Sequence, residues 1–253
     1  MTKKILLSAL VVARNEEKRL LSCLEKLQFA DEIVVVLDRS TDKSEEIAKK
    51  AGAKVLNGAW EIEGDRRNDG IAACSGEWIL EVDADEHIPS LLAEEILATI
   101  KTTKFDWHEI PIHNYVGERL IKYGAGANFT AAASPRLSKK GVKIWGKQYV
   151  HPALTWKGEK GAMLKNAIDH YMDRNISDMI IRLDKYTTAK AKDLRKSGNI
   201  GSGLNNFRRI FSRFIKCYFF RKGYKEGGYG FLIALFAGLF PIISYFKAKY
   251  EKD

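Results

Sequence analysis

The first hundred residues alternate between short apolar segments and segments with a helical pattern. Ile5–Val12, Ile33–Leu37 and Trp78–Val82 are almost entirely apolar, whereas the intervening Glu17–Gln28 carries leucines at helical spacing. Strands that are apolar on both faces are typical of a parallel sheet covered by helices. The alternation therefore predicts an α/β fold, with a mostly parallel sheet flanked by helices. The same reasoning predicts further helices over residues 42–51, 65–74 and 89–101 and a short strand over 54–56.

One apolar segment, Trp78–Val82, is followed at once by three carboxylates, Asp83, Asp85 and Glu86. The carboxyl ends of parallel strands form the rim of an open sheet, where ligands bind. Two carboxylates at positions i and i+2 of a turn can hold a hard divalent cation that leaves sites open for substrate phosphates. The motif therefore predicts a site for a metal and a diphosphate. Acidic residues also favour a helix N-terminus and Pro89 suits a first helical turn, so helix capping explains the motif equally well.

Further polar clusters are predicted on the same rim. Glu16 follows the first strand, Asp38 follows the second, and Arg66, Arg67 and Asn68 open the helix before the acidic strand. A carboxylate such as Asp38 or Glu16 can accept hydrogen bonds from ribose hydroxyls or a base edge, and Arg66 or Arg67 can neutralise a diphosphate. Each cluster alone is more simply explained by helix capping, but four clusters on one rim favour a binding site.

Taken together, these segments resemble the family 2 glycosyltransferases with the GT-A fold. The resemblance is carried by Ala9–Glu16, Asp31–Val36, Asp38 with Ser40–Asp42, Arg67-Asn68 and Trp78–Glu86. It continues more weakly through Arg136-Leu137, His151-Pro152 and His170-Tyr171 into the apolar tail. The branch that this chain most resembles adds a sugar to the inner core of bacterial lipopolysaccharide, as the lipooligosaccharide β-1,4-glucosyltransferases do.

This resemblance implies an inverting enzyme that uses a nucleotide-sugar donor, with a UDP-linked hexose expected, and a divalent cation, Mg²⁺ or Mn²⁺. Asp85 would ligate the metal, and Asp83 would face the ribose or the sugar and share in the metal site. Glu16 and Asp38 would contact the nucleoside. Arg67, with Asn68 beside it, would lie near the nucleoside or the diphosphate.

The chain departs from the family pattern at Leu37-Asp38-Arg39, where members usually carry Asp or Ser-Gly. If Leu37 replaces the usual acid, Asp38 has to act alone, so its contact with the base stays open.

An inverting transferase also needs a general base that deprotonates the acceptor hydroxyl. His151, Glu118 and Asp169 are the candidates, and His151 before Pro152 is favoured among them. A loop histidine that is hydrogen-bonded for structural reasons is the simpler explanation of His151. His87, beside the acidic motif, is expected to support the site or to cap a helix.

Two other classes of protein explain part of the sequence. A metal-dependent phosphohydrolase of the haloacid-dehalogenase type also places D-x-D after an apolar strand. There the motif follows the first strand, with Thr or Gly soon after, whereas here it follows the fourth and precedes Glu86-His87. A non-catalytic membrane-peripheral adaptor would explain the tail but not four polar clusters on one rim. Glycosyl transfer is therefore the favoured function.

The last third of the chain is basic and rich in aromatic residues. Residues 174–253 hold 17 Lys and Arg against 6 Asp and Glu, whereas residues 1–173 hold 25 against 26. Because the positive charge is confined to one end, nucleic acid is not an expected partner. Two helices are predicted, Ile176–Lys196 and Asn206–Lys222, followed by the uncharged run Tyr229–Phe246. Basic residues beside apolar aromatic sequence favour contact with an anionic membrane surface.

The uncharged run Tyr229–Phe246 would be about 27 Å long as a straight helix, just short of a hydrocarbon core. Pro241 would kink this helix, and Lys225 and Lys247 flank it without an orienting bias. A shallow, re-entrant or in-plane hairpin is therefore favoured over a true span. The expected location is the cytoplasmic face of the inner membrane, peripheral or monotopic, where a soluble donor meets a lipid-linked glycan acceptor.

The 253 residues are sufficient for one large domain with an appendage. Residues 1–102 are expected to form the donor-binding half of a GT-A domain and residues 103–173 its acceptor half. Residues 174–253 are expected to form the membrane-associating helical region. Only two short strand-like pieces, Trp107–His113 and Val142–Trp145, are evident in the acceptor half. The three cysteines are too widely spaced for a disulfide framework or a C-x-x-C metal site, which favours a reducing compartment.

Overall fold

The computed structural model describes residues 5–124, 133–147 and 153–251. The chain divides into two compact units: unit 1 is Met1–Ile112 with Ala132–His170, and unit 2 is His113–Ala131 with Tyr171–Asp253. Strands and helices alternate through the first hundred residues, so the predicted α/β class is confirmed.

Eleven strands lie within the described residues. They are β1 (Leu7–Ala13), β2 (Glu32–Asp38), β3 (Lys54–Gly58), β4 (Trp78–Asp83), β5 (Glu86–His87), β6 (Trp107–Val116), β7 (Arg119–Ile121), β8 (Ala133–Lys139), β9 (Lys143–Trp145), β10 (Leu154–Trp156) and β11 (Ile168–Asp173). The α-helices are α1 (Leu20–Glu25), α2 (Ser44–Lys50), α3 (Glu63–Ala73), α4 (Ser90–Thr102), α5 (Ile176–Lys196), α6 (Gly203–Ile215) and α7 (Gly227–Tyr250). A π-helical turn, Lys216–Phe220, continues α6, and a 3-10 turn, Gly223–Glu226, precedes α7.

The centre of unit 1 is a parallel ladder in the order β3-β2-β1-β4. Every residue of β1 is buried. Ala9 and Val11 belong to the apolar cluster that includes residues of α1 and α4, whereas Leu10 and Val12 belong to the cluster that includes α3. Both faces of the strand are therefore covered, which explains its uninterrupted apolar sequence.

Antiparallel strands extend this ladder. The order of the sheet is β3-β2-β1-β4-β8-β6-β11-β5, and β7 pairs with β6. The strand β8 runs antiparallel to β4, and β11 runs antiparallel to β5. The carboxyl ends of β1, β2 and β4 therefore share one edge of the sheet, as predicted.

Unit 2 contains α5, α6 and α7. The helix α5 has the predicted bounds, and the side chain of Asn175 caps it by accepting a hydrogen bond from the backbone N–H of Asp178 (3.0 Å). Residues of all three helices or their continuations, with β-strand residues, form one apolar cluster. It contains Val116, Ile121, Met172, Met179, Leu183, Cys217, Ile233, Ala234 and Phe236.

The uncharged run forms one continuous helix, α7, so the hairpin favoured from the sequence is wrong. The helix passes through Pro241, and one turn later the Ser244 hydroxyl donates to the Phe240 carbonyl oxygen (2.7 Å). Gly223–Tyr250 is long and apolar enough to cross a membrane, but 56% of its apolar window is buried within the protein. Burial against the neighbouring helices supports a helix that proline alone would destabilise.

Candidate functional site

The loops that follow β1 and β2 are joined to each other at the edge of the sheet. Asn15 and Arg39 both have a left-handed backbone, with φ of 56° and 51°, which is uncommon for residues other than glycine. The Asn15 side chain accepts a hydrogen bond from the backbone N–H of Thr41 (2.8 Å). This contact brings the loop that carries Glu16 next to the loop that follows Asp38. The predicted nucleoside contacts therefore lie on one edge.

Asp38 is buried, and both of its carboxylate oxygens have partners. Oδ1 accepts a hydrogen bond from the backbone N–H of Trp60 (3.1 Å), and Oδ2 lies 3.3 Å from Nη1 of Arg66. The Nε atom of Arg66 has no hydrogen-bond partner within the described part of the chain. Leu37, at the position where the family pattern differs, is fully buried in the core. Asp38 is thus the acid that this loop presents.

The acidic motif forms a tight turn between β4 and β5 that a buried arginine holds together. Nη2 of Arg136 lies 2.7 Å from Oδ2 of Asp83 and 2.6 Å from Oε1 of Glu86. The other carboxylate oxygen of Glu86 accepts a hydrogen bond from the backbone N–H of Asp83 (2.8 Å). Oδ1 of Asp83 accepts a hydrogen bond from Nη2 of Arg67 (3.0 Å). Asp83 is therefore held between two arginines.

The charges around this turn push the pKa values of Asp83 and of the buried Glu86 apart. Burial acts to raise the pKa of Asp83, but the guanidinium groups of Arg136 and Arg67 outweigh burial and hold that pKa well below its usual range. Burial raises the pKa of Glu86 to about 7, and the Asp83 carboxylate adds to this rise while Arg136 opposes it. Asp83 thus stays ionised at neutral pH and is too weak a base to deprotonate a hydroxyl.

Arg67 is almost fully buried among carboxylates. Its Nε lies 3.0 Å from Glu63, its Nη2 lies 3.0 Å from Asp83, and its Nη1 lies 3.8 Å from Glu81. The guanidinium carbon is 4.8 Å from the centre of the Trp145 ring. Burial acts to lower the pKa of Arg67, but Asp83 and the other carboxylates outweigh it and raise that pKa. The Arg67 guanidinium therefore makes its contacts with side chains of the protein.

Asn68 and Glu81 both connect to β9. The Asn68 side chain donates to the backbone carbonyl of Trp145 (2.9 Å) and accepts from its backbone N–H (3.0 Å). Glu81, an acid inside the apolar strand β4, pairs with the buried Lys143 at 2.5 Å and accepts from the Trp145 indole N–H (3.0 Å). This buried pair explains how the strand tolerates a charge.

Asp85 has looser contacts than Asp83. Its Oδ2 lies 3.5 Å from Nη1 of Arg19 and 3.4 Å from Nε2 of His170. The exposed fractions of the two side chains are similar, 26% for Asp85 and 30% for Asp83. Burial acts to lower the pKa of His170, but the hydrogen bond to Asp85 and the nearby carboxylates outweigh it and raise that pKa. Within the described ranges, no group of three His, Cys, Asp or Glu side chains is arranged to hold a metal ion.

The structure describes two of the three candidates for the general base, Glu118 and Asp169. Glu118 is exposed in the turn between β6 and β7 in unit 2. His151 lies outside the described residues. Asp169 pairs with His87 across β11 and β5, whereas His170 pairs with Glu86. Because successive strand residues point to opposite faces, His170 rather than Asp169 faces the acidic motif. His87 lies 3.2 Å from the hydroxyl of Ser22 on α1.

Three residues that contact the acidic motif are given no function by the sequence alone: Arg19, Arg136 and His170. The pairs Arg136-Leu137 and His170-Tyr171 carry a signal, since they belong to the family resemblance. Their partners are 53 and 85 residues away in the sequence, so the contacts themselves cannot be found without the fold.

The chain belongs to glycosyl transferase family 2, because the model of that family matches residues 8–135, half of its length. It is therefore an enzyme that transfers a sugar. It is 26% identical over 248 residues to an uncharacterized glycosyltransferase of Rickettsia bellii (strain RML369-C), which covers 92% of this chain and 81% of that protein. It is also 26% identical over 257 residues to the lipopolysaccharide core biosynthesis glycosyltransferase LpsC of Rhizobium meliloti (strain 1021), covering 96% of this chain and 92% of LpsC.

Among solved structures, S. aureus TarS has a similar fold. The TM-score is 0.50 at 18% sequence identity, and the match covers 75% of this chain and 40% of TarS. At this level of identity the similarity concerns the fold alone. With the family match, it confirms the predicted GT-A architecture, a mostly parallel sheet flanked by helices with an apolar C-terminal helix.

Proposed function

We propose that this glycosyltransferase moves a hexose from a UDP-linked donor to a lipid-linked glycan acceptor, such as the lipopolysaccharide inner core, with inversion at the anomeric carbon. The observation that carries this proposal is the clamp on the acidic turn. Arg67 and Arg136 fix Asp83, and Asp85 follows on the edge that also presents Asp38. The similarity to LpsC along most of both chains supports the choice of acceptor.

The carboxylate oxygens at the turn are suitable ligands for Mg²⁺ or Mn²⁺, which prefer carboxylate oxygens. Asp85 is the proposed metal ligand because its contacts are longer than those of Asp83, whose two oxygens each face an arginine. A bound cation would neutralise charge on the departing diphosphate. Since no three-ligand cluster exists among the described residues, donor oxygens would complete the coordination shell.

The remaining contacts with the nucleotide-sugar donor are proposed for side chains on this edge of the sheet. Asp38 and Glu16 are proposed to contact the nucleoside from the loops after β2 and β1. Arg66, with an unpaired Nε within the described residues, is proposed to approach the diphosphate. Arg67 and Asn68 are proposed to act indirectly, the first by orienting Asp83 and the second by fixing β9.

The candidates for the general base are narrowed by excluding Asp83, and the two halves of the GT-A domain are proposed from the order of the chain. Asp83 is excluded because its pKa is held low. His151 and Glu118 remain the proposed candidates, His151 being favoured. Residues 1–102 are proposed to bind the donor and residues 103–173 to meet the acceptor. Residues 174–253 are proposed to hold the enzyme at the cytoplasmic face of the inner membrane.

A thermal-shift screen of nucleoside diphosphates, with and without Mn²⁺, tests the proposal. UDP with Mn²⁺ should raise the melting temperature by more than the separate effects of UDP and Mn²⁺ combined, because the cation and the diphosphate share one site. The Asp85→Asn variant should keep its melting temperature and lose the effect of Mn²⁺. Release of inorganic phosphate from phosphate esters, without any nucleotide binding, would instead identify a phosphohydrolase and refute the proposal.

A further inference from the structure

We propose that the exposed face of α6, rather than the apolar helix α7, is the surface through which this protein docks on an anionic lipid membrane. On this view α6 lies in the plane of the membrane. The inference rests on the proposed location at a membrane and assigns it to named residues.

The apolar character of α7 is explained by packing inside unit 2. Ile233, Ala234 and Phe236 belong to the core cluster of that unit. A Cβ added at Gly238 would lie 2.7 Å from the backbone oxygen of Ile210, so α6 and α7 approach each other closely there. More than half of the apolar window of α7 is therefore buried against protein.

The helix α6 and its π-helical continuation, in contrast, leave large apolar side chains exposed. They recur at intervals of three and four residues, which places them on one face of a helix. They are Leu204 (82% exposed), Phe207 (54%), Phe211 (58%), Ile215 (43%) and Phe219 (57%). Phe220, next to the last of them, is 79% exposed. We call these six residues the α6 stripe. Several large apolar side chains exposed together on one face of a helix are typical of an interaction site.

The charge beside the α6 stripe identifies the partner. Between Asp193 and Glu226 the sequence has nine Lys and Arg and no Asp or Glu. Arg208 and Lys216, on the same helix and its continuation, are exposed. Aromatic and aliphatic side chains beside basic ones match the interface of a bilayer that carries anionic headgroups. Two copies of so basic a surface would repel each other, which disfavours self-association through the stripe.

Flotation of the full-length protein with vesicles tests this inference. Binding is expected to vesicles of phosphatidylcholine with phosphatidylglycerol and to fall as salt is raised. Replacing two rings of the stripe, Phe207→Ser with Phe211→Ser, should weaken binding on the order of tenfold or more. The control is Leu91→Ser, which changes an equally exposed apolar residue (65%) in unit 1 and should bind like the unmodified protein.

Labelling with an environment-sensitive fluorophore gives a readout that does not depend on binding strength. The three native cysteines are buried, so a new surface cysteine can be labelled selectively. The emission of a fluorophore on Phe211→Cys should shift to the blue when anionic vesicles are added. The emission from Leu91→Cys on α4 and from Phe246→Cys on α7 should shift much less.

Three results would overturn the inference. One is undiminished binding by the double variant, including to neutral vesicles at high salt, which would indicate insertion of α7. Another is a blue shift at Phe211→Cys that depends on protein concentration without lipid, which would indicate a second copy. The third is no vesicle binding at all. If UDP with Mn²⁺ still raises the melting temperature in that case, the docking surface is wrong and the proposed function stands.

Discussion

Nη2 of Arg136 lies within 2.7 Å of both Asp83 and Glu86, so one buried guanidinium bridges two carboxyl groups of the acidic turn. Arg136 reaches the turn from β8, the antiparallel neighbour of β4. The geometry of the D-x-D motif therefore depends on a strand outside the parallel ladder.

Replacing Arg136 with methionine should cost about 3–5 kcal/mol of unfolding free energy, because it leaves the buried Glu86 without a counter-charge and removes one of the two arginines that hold Asp83. Urea denaturation at neutral pH measures this loss. The matched control is Arg174→Met, which removes an arginine with a 57% exposed side chain from a surface pair with Asp178. That variant should lose no more than about 1 kcal/mol. Similar losses in the two variants would show that Arg136 is not a structural clamp.

Changing Arg66 or Arg67 to methionine should have different effects: the first should mainly weaken UDP binding, and the second should mainly lower the melting temperature. Arg66→Met should weaken UDP binding about tenfold, the loss of one charge-assisted hydrogen bond, with only a modest fall in melting temperature because Asp38 keeps its hydrogen bond from the Trp60 N–H. Arg67→Met should lower the melting temperature more, since it removes a buried guanidinium that contacts Asp83, Glu81 and Glu63. Calorimetric titration with UDP and thermal melting of both variants separate the roles. The assignment fails if Arg66→Met binds UDP normally.

Changing Asp85 to asparagine should abolish Mn²⁺-dependent transfer while the fold stays intact. The loss of a metal-bridged contact at the leaving group should slow turnover on the order of a thousandfold. The assay measures release of UDP in the presence of a lipid-linked acceptor. The control is Glu94→Gln, which changes an exposed carboxylate on α4 and should leave the rate of transfer unchanged. Full activity of the wild type in excess chelator would refute metal dependence.

The parallel half of the fold follows from local sequence. Apolar runs predict β1, β2 and β4, and helical spacing predicts α5 with its observed bounds, because each of these elements is buried along a regular pattern.

The antiparallel strands cannot be predicted from local sequence in the same way. The strand β8 contains Pro135, which argues against an interior strand, yet it pairs with β4 and with β6. Its register with β6 shifts between His108 and Ile110, and such a bulge accommodates a residue that lacks an N–H. The contacts of Arg136 and His170 depend on this tertiary arrangement, so only their family-like motifs are visible in the sequence.

Glu32 should make the unfolding free energy of the protein depend on pH in the acidic range. Burial acts to raise its pKa, but hydrogen bonds from the Ser75 backbone N–H, the Ser8 hydroxyl and the Ser75 hydroxyl outweigh burial and lower that pKa. A carboxyl whose folded pKa lies below its unfolded value, about 4.3 for glutamate, stabilises the fold above that value. The contribution is lost as the pH falls through the folded pKa.

The measurement is the unfolding free energy of wild type and Glu32→Gln between neutral and strongly acidic pH. The difference between them should be largest at neutral pH and shrink on acidification. Glu25→Gln, which changes an exposed residue on α1, should give a difference that barely changes with pH. A constant difference for Glu32→Gln would mean that the hydrogen bonds do not favour the ionised form.

Two glycines of α7 should respond oppositely to alanine, because only one of them lies at a helix contact. A Cβ at Gly238 would meet the Ile210 backbone oxygen at 2.7 Å, and a backbone atom cannot rotate away as a side chain can. Gly238→Ala should therefore separate α6 from α7 and cost about 1–3 kcal/mol. A Cβ at Gly228 would meet nothing within 4 Å, so Gly228→Ala should be neutral or stabilise the helix by up to about 1 kcal/mol. Urea denaturation of both variants checks the contrast. If Gly238→Ala is as stable as Gly228→Ala, α7 is not packed tightly on α6, and its apolar surface becomes available to a membrane.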